Sequence, residues 1–560
     1  MTVLPDVLRG ALPEEQSHFP ALGPNVNGLL VWPKIPCSYW SFTGMLSVIP
    51  ESTIMPPLGL LTLAALCPKS WNLRLIDCAF QEVTDSDLQW AHVVLVSAMQ
   101  VQRVDTHSIL RRARALGVRT MIGGPYASSQ PEILLPLADH VVVGEPDEVF
   151  GEIAHQLETG AAQHLYRIEQ KPDVRRTPPP RFDLLELGRY ASMAVQFSRG
   201  CPFQCEFCDI ITIYGRRPRT KTPAQVLADL DQLNRLGWRK QVFVVDDNFI
   251  GNHKMALELA REIAEWQRVH DYPFVLYTEA SLDMAQYADL IEAMVQANFL
   301  YVFIGIESPS AESLKETKKF QNLRCNSLDA VRFIQHRGLW VTGGFIVGFD
   351  SDTPDIFRRQ TEFIQRAAIP WAMTGVLQAP PTTPLFNRMR QQGRLLEEST
   401  ASTNFHSPNF RTAMPLEDLL TGLKYMLEEL YEPKRFYDRA QRSLEHWKVR
   451  SQQHAAPVSV SYRFGVVCRS LWRQGLFSSY RKAYWKFLVI LLARHSRRPQ
   501  KLWLGFILLI SGHHFINYSA AVCADLESEI ARATADARSG ADGHPPNLPA
   551  VETGLNVSAQ

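Results

Sequence analysis

The segment Arg199-Gly200-Cys201-Pro202-Phe203-Gln204-Cys205-Glu206-Phe207-Cys208-Asp209 carries three cysteines with the spacing C-x3-C-x2-C. Three thiolates from one short loop are one fewer than a closed structural zinc site or a fully ligated iron–sulfur cluster requires. On a four-iron cluster they leave one iron open for a substrate or cofactor. The spacing therefore predicts a catalytic [4Fe–4S] site with Cys201, Cys205 and Cys208 as its metal ligands.

The alternatives to this site are a zinc knuckle and disulfide bonds. A zinc knuckle needs a distant fourth ligand, and the second CxxC or HxxxH half of such sites is missing. The nine cysteines show no paired framework, and the N-terminus lacks the basic and apolar regions of a secretory signal. Oxygen-sensitive thiolates predict a reducing cytoplasm.

The chain length predicts the number of domains, and the net charge bears on whether the protein binds nucleic acid. A chain of 560 residues is expected to form three or four domains, and an apolar content of 46% is ample for large cores. The net charge of +1 gives no electrostatic case for binding nucleic acid. The polar, proline-rich residues 1–27 are expected to be a poorly ordered arm.

Residues 28–165 alternate short apolar strands with helices, which predicts an α/β, doubly wound parallel sheet. The predicted strands are 29–32, 73–77, 93–97, 120–124 and 140–144. Ligands of such sheets bind at the carboxyl ends of the strands, where Gly123, Gly124 and Gly144 would let a bulky ligand approach the backbone. Ordinary turn glycines are the alternative. The absence of a GxGxxG motif disfavours a dinucleotide.

A second alternating series follows the linker 166–190 and occupies residues 191–400. Six strands are predicted, at 194–197, 241–245, 274–277, 300–304, 340–347 and 372–377. Six β/α units predict a partial (β/α)6 barrel with its active site at the carboxyl ends of the strands. Polar residues gather at those ends: Asp246, Asp247, Asn248, Glu279 and Glu307.

The cysteine loop resembles the cluster-binding loop of radical S-adenosylmethionine (SAM) enzymes, whose open iron is chelated by the amino and carboxylate groups of SAM. Phe207 fills the place of the aromatic residue that usually precedes the last cysteine. Residues 28–165 resemble the Rossmann-like cobalamin-binding domain that precedes the barrel in one large subfamily. The similar elements are Pro56-Pro57-Leu58-Gly59-Leu60, Gly123-Gly124-Pro125 and the Gly144-Glu145 turn.

The resemblance implies which strand-end residues hold SAM. Asp246, Asp247 and Asn248 occupy the place that holds the SAM amino group, and Glu307 the place of an acidic residue that bonds SAM polar groups. Glu279, with Thr278 and Ser281, is expected on the same rim, in contact with SAM or substrate. For the Asp pair, capping the following helix is the alternative.

Residues 28–165 lack one motif that is common in cobalamin-binding domains: no D-x-H-x-x-G sequence follows the first predicted strand. Asp105-Thr106-His107 has its first three letters, but Leu110 replaces the glycine, and we interpret His107 as a helix-surface residue. Gln100, with Met99 and Gln102, is expected near the lower face of the cobalt. Glu145 and the strand-end glycines are the other expected cobalamin contacts. A domain that binds nothing and only packs against the barrel is the alternative.

Residues 401–533 are expected to form a helical C-terminal domain, and residues 534–560 a disordered tail. The apolar runs 487–493 and 502–511 are shorter than the roughly 20 residues of a spanning helix, so no transmembrane segment is predicted. Basic and aromatic residues between 480 and 503 would also suit a helix lying on a membrane surface. Peripheral membrane contact is therefore left open.

The resemblance implies a methyltransferase that uses the cluster, SAM and cobalamin. In that family the reduced cluster cleaves SAM to a 5′-deoxyadenosyl radical, which removes hydrogen from an unactivated carbon. Methylcobalamin then methylates that carbon, and a second SAM re-methylates the cobalt. An electron donor of ferredoxin or flavodoxin type is expected.

The loop, the run Val245–Asn252 and the helical C-terminus are similar to hopanoid C-2 methylases and their relatives, which favours a hydrophobic polycyclic, lipid-like substrate. One departure is Pro380-Pro381-Thr382-Thr383-Pro384, where a glycine often stands. The alternatives are a cobalamin-dependent cyclase or oxidative enzyme of tetrapyrrole type, and a non-catalytic cobalamin and Fe–S sensor.

Overall fold

The computed structural model describes residues 20–396, 407–450 and 453–539. Its N-terminal unit is a six-stranded, all-parallel sheet with the strand order β2-β1-β3-β4-β5-β6. The strands are β1 (Asn27–Trp32), β2 (Asn72–Asp77), β3 (Val93–Ser97), β4 (Arg119–Gly123), β5 (His140–Val143) and β6 (Leu165–Arg167). β1 and β3 are continuous apolar runs, as expected for parallel strands covered on both faces.

Helices separate these strands and form an apolar core on each face of the sheet. They are α1 (Thr43–Leu46), α2 (Leu58–Leu66), α3 (Asp85–Trp90), α4 (Arg103–Ala115), α5 (Gly124–Ser129), α6 (Pro131–Leu134) and α7 (Phe150–Thr159). All five strands predicted in this region are present. β6, at the boundary of the predicted linker, was not predicted, because a three-residue strand has too few residues to show a period.

Part of the expected N-terminal arm and the expected linker both pack against the rest of the protein. Residues 20–26 of the expected arm pack on the sheet: the Leu22 N–H donates to the Leu157 carbonyl at 3.1 Å, and Val26 is buried. Residues 1–19 lie outside the described part. The expected linker 166–190 is packed too, with Phe182 and Tyr190 fully buried.

The second unit is the expected partial barrel, with the parallel strand order β14-β13-β12-β11-β10-β7 and a small antiparallel pair, β8 and β9. Its strands are β7 (Ser192–Val195), β8 (Ser198–Arg199), β9 (Arg219–Thr220), β10 (Gln241–Val244), β11 (Val275–Ala280), β12 (Phe299–Glu307), β13 (Trp340–Val347) and β14 (Ala372–Val376). β7 and β14 are the two ends of the main sheet, and the cysteine loop lies between β8 and β9.

The barrel helices begin and end at local sequence signals. Thr222, Pro223 and Gln225 supply the N-cap, the first helical position and the reciprocal capping contact of the helix that precedes β10. The helices are α8 (Ile210–Ile213), α9 (Pro223–Arg235), α10 (His253–Val269), α11 (Ala288–Gln296), α12 (Ala311–Glu316), α13 (Ser327–Arg337), α14 (Ile356–Ala367) and α15 (Pro384–Gln391).

The C-terminal region is helical, as expected. Its helices are α16 (Leu416–Tyr431), α17 (Pro433–His446), α18 (Val460–Ser470), α19 (Arg481–His495) and α20 (Pro499–Ser539), and a π-helical turn (Leu471–Leu476) follows α18. α20 contains the run 502–511 but extends to 41 residues. It also includes the first residues of the expected tail, whose residues 540–560 lie outside the described part.

Among the described residues, α20 is the one helix long and apolar enough to cross a membrane by length and composition. However, 67% of its apolar window is buried inside the protein. α20 packs against α1, α16, α17 and α19. In this structure it is the central helix of the C-terminal domain.

The chain between β1 and α2 leaves the N-terminal sheet and enters the core shared by the barrel and α20. The Tyr39 hydroxyl hydrogen-bonds the Ser519 hydroxyl. Gly44 lies so close to α20 that a Cβ there would be 2.6 Å from the His514 Cα. Residues 28–165 are therefore not one self-contained domain, because this excursion belongs to the other two units.

Candidate active site

The cysteine loop is held by the β8–β9 hairpin at the carboxyl end of β7. Gly200 precedes Cys201 with a φ of 91°, and a Cβ on it would lie 2.8 Å from the Gly215 carbonyl oxygen. The Cys201 N–H donates to that same carbonyl at 3.2 Å. Only glycine fits this position, because both the backbone conformation and the space exclude a side chain.

Two amide side chains reach the cysteine sulfurs, one from the segment after β10 and one from the turn after α12. Asn248 Nδ2 lies 3.9 Å from Cys201 Sγ, and Gln321 Nε2 lies 3.4 Å from Cys205 Sγ. Burial raises the pKa of the Cys201 and Cys208 thiols above the ordinary value. Deprotonation of these thiols therefore requires compensating positive charge, such as that of bound iron.

The buried ammonium of Lys319 lies beside this loop. It pairs with Glu307 at 2.5 Å and sits 5.7 Å from the centre of the Phe207 ring. Burial opposes its charge, but Glu307 and the Cys205 and Cys208 thiols raise the pKa of Lys319, so it stays protonated. A fixed cation and N–H donors around sulfur are the surroundings that stabilise a thiolate-ligated cluster.

The arrangement of these thiols bears on which metal group they hold. Zn–S bonds of about 2.3 Å place the ligands of a zinc ion roughly 3.8 Å apart. Among the described residues, no three His, Cys, Asp or Glu side chains are arranged to hold a metal ion. Three thiols from one loop are the donor set of a four-iron cluster with one open iron.

Asp246 is buried, and each of its carboxylate oxygens accepts a hydrogen bond within the protein. One carboxylate oxygen accepts from the Phe197 N–H at 2.8 Å, and the other accepts from the Ser198 hydroxyl at 2.6 Å. These bonds fix the segment between β7 and the cysteine loop. Asp246 therefore positions this segment, and its expected contact with the SAM amino group stays a prediction.

Asp247 and Glu279 are two buried carboxyl groups that influence each other, and neither forms an ion pair within the described residues. Burial raises the pKa of Asp247 to about 7, with Asp246 contributing and the Gly200 N–H opposing. Burial and the charge of Asp247 raise the pKa of Glu279 to about 8. Within the described residues, the Glu279 carboxyl accepts no hydrogen bond. This pair suits a cationic ligand, and SAM carries an ammonium and a sulfonium.

Asn248 and Glu307 are each engaged by neighbours. Asn248 also bonds Ser281, with Nδ2 3.1 Å from Ser281 Oγ, so it ties β11 to the cysteine loop. Glu307 ends β12 in a bulge with a φ of 62°, and its carboxylate is neutralised by Lys319. The Asn322 side chain supports this bulge by donating to the Gly305 and Ile306 carbonyls at 2.9 and 3.0 Å.

The carboxyl edge of the N-terminal sheet carries an unpaired buried donor. Gln100 Nε2 is buried and has no hydrogen-bond partner among the described residues. A buried unpaired donor lowers the stability of a protein by about 1–3 kcal/mol unless a ligand accepts its hydrogen bond. The place of Gln100 at the expected cobalamin edge therefore fits an amide-rich cofactor. Gln102 differs, because its amide donates to the Pro33 carbonyl and accepts from the Met99 N–H.

The glycines of this edge serve packing. A Cβ on Gly124 would meet the Ser97 hydroxyl at 2.6 Å, and one on Gly144 would meet the Ile168 carbonyl at 2.3 Å; both residues have positive φ. Gly123 has no such conflict. His107 is half-buried and lies 2.9 Å from the Tyr126 hydroxyl, so the expectation of a helix-surface residue is wrong.

Glu145 joins the N-terminal sheet to the cysteine hairpin. Arg199 bonds Glu145 at 2.9 Å and Asp147 at 2.8 Å, and Arg219 bonds Glu145 at 2.8 Å. Arg199 stands two residues before Cys201. These ion pairs bring the carboxyl edges of the two sheets together, and the cobalamin contact of Glu145 stays a prediction.

A largely apolar cavity of about 740 Å³ fills the lumen of the partial barrel. Its upper wall includes Glu279, and it extends to the C-terminal helices, where α18, α19 and α20 close it. Phe243, Tyr277 and Tyr301, from three adjacent strands, stack with ring centres 4.7 and 4.6 Å apart. The volume lies within the roughly 300–1,000 Å³ range of small-molecule sites.

The sequence interpretation missed several residues of this region. Trp40 and Phe42 line the cavity although they come from the excursion after β1. Lys319 and Gln321 follow α12 and showed no motif. The aromatic residues of β10, β11 and β12 did carry a signal, because alternation along a strand places them on the lumen face.

The backbone at Pro380–Pro384, where a glycine often stands in related enzymes, has an unusual conformation. Thr382 adopts a φ of 71°, a conformation that glycine accepts more readily than a β-branched residue. Thr383 then caps α15, with its hydroxyl accepting from the Phe386 N–H at 3.1 Å. The turn is thus glycine-like although no glycine is present.

Family profiles match three successive segments of the chain. A B12 binding domain matches residues 50–154, the radical SAM superfamily residues 195–364, and a domain of unknown function residues 383–528. The first two coincide with the sheet edge that carries Gln100 and with the barrel that carries the cysteine loop. The third spans most of the helical region.

Known proteins resemble the chain along most of its length. An uncharacterized methyltransferase of Synechocystis sp. is 39% identical, over 90% of this chain and 94% of its own. The hopanoid C-2 methylase of Rhodopseudomonas palustris is 32% identical, over 88% and 93%. Bacteriochlorophyllide d C-12(1)-methyltransferase of Chlorobaculum tepidum is 24% identical, over 75% and 90%.

Two solved structures share the fold. The cobalamin-dependent SAM radical enzyme OxsB, with aqua-cobalamin and SAM bound, superposes with a TM-score of 0.56 at 15% identity, covering 92% of this chain and 81% of its own. The radical SAM methyltransferase TsrM of Kitasatospora setae gives 0.55 at 16% identity, covering 84% and 100%. Together with the full-length relatives, the matched domains show that the chain belongs to the cobalamin-dependent radical SAM methyltransferases, whose cofactors are a [4Fe–4S] cluster, SAM and cobalamin.

Proposed function

We propose that this enzyme methylates an unactivated carbon of an apolar polycyclic lipid of the hopanoid class, bound in the lumen of the barrel. The observation that carries the proposal is the cavity of about 740 Å³, whose wall includes the stacked Phe243, Tyr277 and Tyr301. Flat aromatic faces suit a rigid fused-ring skeleton. Aromatic side chains bury a large area against such a ligand and have few rotatable bonds to immobilise.

The residues at the upper end of the cavity would hold the cofactors. Cys201, Cys205 and Cys208 supply the thiolates, and the amides of Asn248 and Gln321 orient two of them. When bound, the cluster, SAM and cobalamin supply radical generation and the methyl group. The protein supplies binding, orientation and exclusion of water.

Asp247 and Glu279 are proposed to accept the SAM cation. Their raised pKa values fall once positive charge arrives, so binding of SAM would release protons near neutral pH. Glu279 also lines the lumen, so the same carboxyl would separate the SAM pocket from the lipid. Glu307, held by Lys319, is proposed to contact SAM polar groups through its remaining oxygen.

The cobalamin contacts are proposed at the carboxyl edge of the N-terminal sheet. Gln100 offers an unpaired buried N–H, and Gly123, Gly124 and Gly144 leave the edge free of side chains. The ion pairs of Arg199 with Glu145 and Asp147 hold this edge against the cysteine hairpin. A cofactor bound there would lie beside the cluster loop.

The test is anaerobic turnover by enzyme reconstituted with iron, sulfide and cobalamin, with SAM, a low-potential reductant and a panel of substrates. The proposal predicts 5′-deoxyadenosine and S-adenosylhomocysteine together with a pentacyclic triterpenoid heavier by one CH2. The Cys205→Ala variant should give none of these. A ferredoxin or flavodoxin in place of the chemical reductant tests the expected electron donor.

The panel also includes tetrapyrroles, because relatives that act on bacteriochlorophyllide share the fold. Methylation or ring closure of a tetrapyrrole, with no triterpenoid product, would refute the proposed substrate class. Absence of any SAM cleavage, despite bound cluster and cobalamin and every substrate offered, would favour the sensor.

A further inference from the structure

The face of α18 and its π-helical continuation carries an apolar stripe that no described residue covers. Val460, Phe464, Trp472 and Leu476 are exposed at intervals of four or eight residues, which places them on one side of the helix. α19 carries a second stripe, Trp485, Val489 and Leu492, also exposed. Its opposite face, with Tyr484, Phe487 and Leu491, is buried.

The two stripes join into one surface. Trp485 Nε1 donates to the Gly475 carbonyl at 2.9 Å, and the rings of Trp472 and Phe477 lie 4.9 Å apart. We name this surface the C-terminal apolar patch: Phe464, Trp472, Phe477, Trp485, Val489 and Leu492. Eight of the sixteen large apolar side chains exposed in the described residues lie between 460 and 492, whereas single exposed apolar residues elsewhere need no explanation.

The segment that carries the patch is strongly basic, although Asp438 of α17 lies 4.0 Å from the Lys486 ammonium and Glu445 pairs with Arg494. Residues 446–524 contain twelve Lys or Arg and no Asp or Glu, in a chain whose net charge is only +1. Arg473, Arg481, Lys482 and Lys486 are exposed among the patch residues. A second copy of the chain would bring the same positive charge against itself, which opposes self-association. An anionic lipid surface complements both the charge and the aromatic side chains.

The patch is continuous with the lumen of the barrel. Trp485 and Leu492 are exposed on the patch and also line the cavity, as does the exposed Arg463. The long apolar helix α20 lies behind this surface and is mostly buried. The arrangement therefore suits a protein that lies on a bilayer rather than one that crosses it.

We infer that the C-terminal apolar patch docks the enzyme on an anionic bilayer, so that an apolar substrate passes from the membrane into the lumen between α18, α19 and α20. The docking rests on the patch and its charge alone, and only the passage of substrate rests on the proposed function. This assigns a task to the helical region that matches a domain of unknown function.

The test is co-sedimentation of the reconstituted full-length enzyme with vesicles of phosphatidylcholine, with and without phosphatidylglycerol, and without SAM or reductant. We expect sedimentation with the anionic vesicles, weaker sedimentation with the neutral ones, and loss of the difference at high salt. The double variant Trp472→Glu/Phe477→Glu should lower the bound fraction about tenfold. Val269→Glu is the matched control, because Val269 is 63% exposed, as Trp472 is 61%, but lies at the end of α10.

Thermal unfolding and cluster content of each variant establish that it folds. A wild-type enzyme that stays in solution with anionic vesicles would overturn the inference, as would a double variant that sediments like the wild type. A wild-type dimer in solution that the double variant converts to a monomer would also overturn it, because the patch would then be a self-association surface. Since no turnover is involved, failure here is distinguishable from failure of the proposed reaction.

Discussion

Single residues around the cysteine loop divide into those that position the loop and those left free for a ligand. Asp246 belongs to the first group, because both of its oxygens are used by the backbone and hydroxyl of β8 and the residue before it. Glu279 belongs to the second, because no described residue hydrogen-bonds its carboxyl. Sequence position alone does not separate them, since both follow barrel strands.

Replacement of Asp246 tests this division. Asp246→Ala leaves the Phe197 N–H and the Ser198 hydroxyl unpaired in a buried place, which should lower the free energy of unfolding by about 1–3 kcal/mol and reduce the iron content. Chemical unfolding and iron analysis measure both, with the exposed Glu258→Ala as control. If Asp246 instead served only SAM, stability and iron would stay normal while SAM binding weakened.

Glu279 should make stability depend on pH. Its pKa is raised from 4.5 to about 8, so the folded state keeps a proton that the unfolded chain loses. Without SAM, the free energy of unfolding should therefore fall as pH rises from 4.5 towards 8 and change no further from this group above that. Glu279→Gln should flatten this decline, leaving the part due to Asp247.

Thermal unfolding across that pH range, with and without SAM, gives the measurement. SAM should stabilise the wild type most at the alkaline end, where its charge relieves the carboxyl pair, and should stabilise Glu279→Gln less. An identical pH profile for the two proteins would contradict the role assigned to Glu279.

Among the elements around the cysteine loop, the segment after α12 is expected to set part of the reduction potential of the cluster. Gln321→Leu removes the N–H that points to Cys205 Sγ and should lower the reduction potential of the cluster by tens of millivolts, because hydrogen bonds to sulfur favour the reduced form. A redox titration followed by electron paramagnetic resonance measures the potential. An unchanged potential would show that Gln321 only fills space.

The contact between the two sheets depends on the buried Arg199. Arg199→Met leaves Asp147 without its arginine partner, and breaking a buried ion pair of this kind costs about 3–5 kcal/mol. Arg175→Met removes a solvent-exposed pair with Asp173 and should leave the free energy of unfolding close to that of the wild type. Urea unfolding compares them, and equal losses would mean that the contact between the sheets does not rest on Arg199.

Local patterns predicted the elements well and their long-range partners poorly. The strands of both sheets follow from apolar runs separated by helices, and every strand predicted was found. The excursion with Tyr39 and Gly44 was missed because its partners in α20 lie more than 400 residues later. Likewise, the roles of Glu145 and Asp246 depend on residues from other elements, which a motif cannot show.

For the whole molecule, the three units place the cavity between the cofactor end and the C-terminal apolar patch, which we propose to face a membrane. Glu279 borders the lumen beside Asp247, and the patch residues Trp485 and Leu492 border it near α19. The sequence predicted the cofactor end through three cysteines. It did not predict the lumen, because the cavity exists only where the excursion after β1, the barrel and the C-terminal helices meet.

The most direct measurement is the rate of methyl transfer by a variant in which a larger side chain fills the lumen of the barrel. Thr342 is a buried residue of β13 that lines the cavity, so Thr342→Trp should occupy it, while Thr342→Val preserves the volume. The account predicts that Thr342→Trp keeps its cluster, cobalamin and SAM binding but loses at least about tenfold in methylated triterpenoid, and that Thr342→Val stays near the wild type. Wild-type rates of methylation by Thr342→Trp would contradict a substrate site in the barrel.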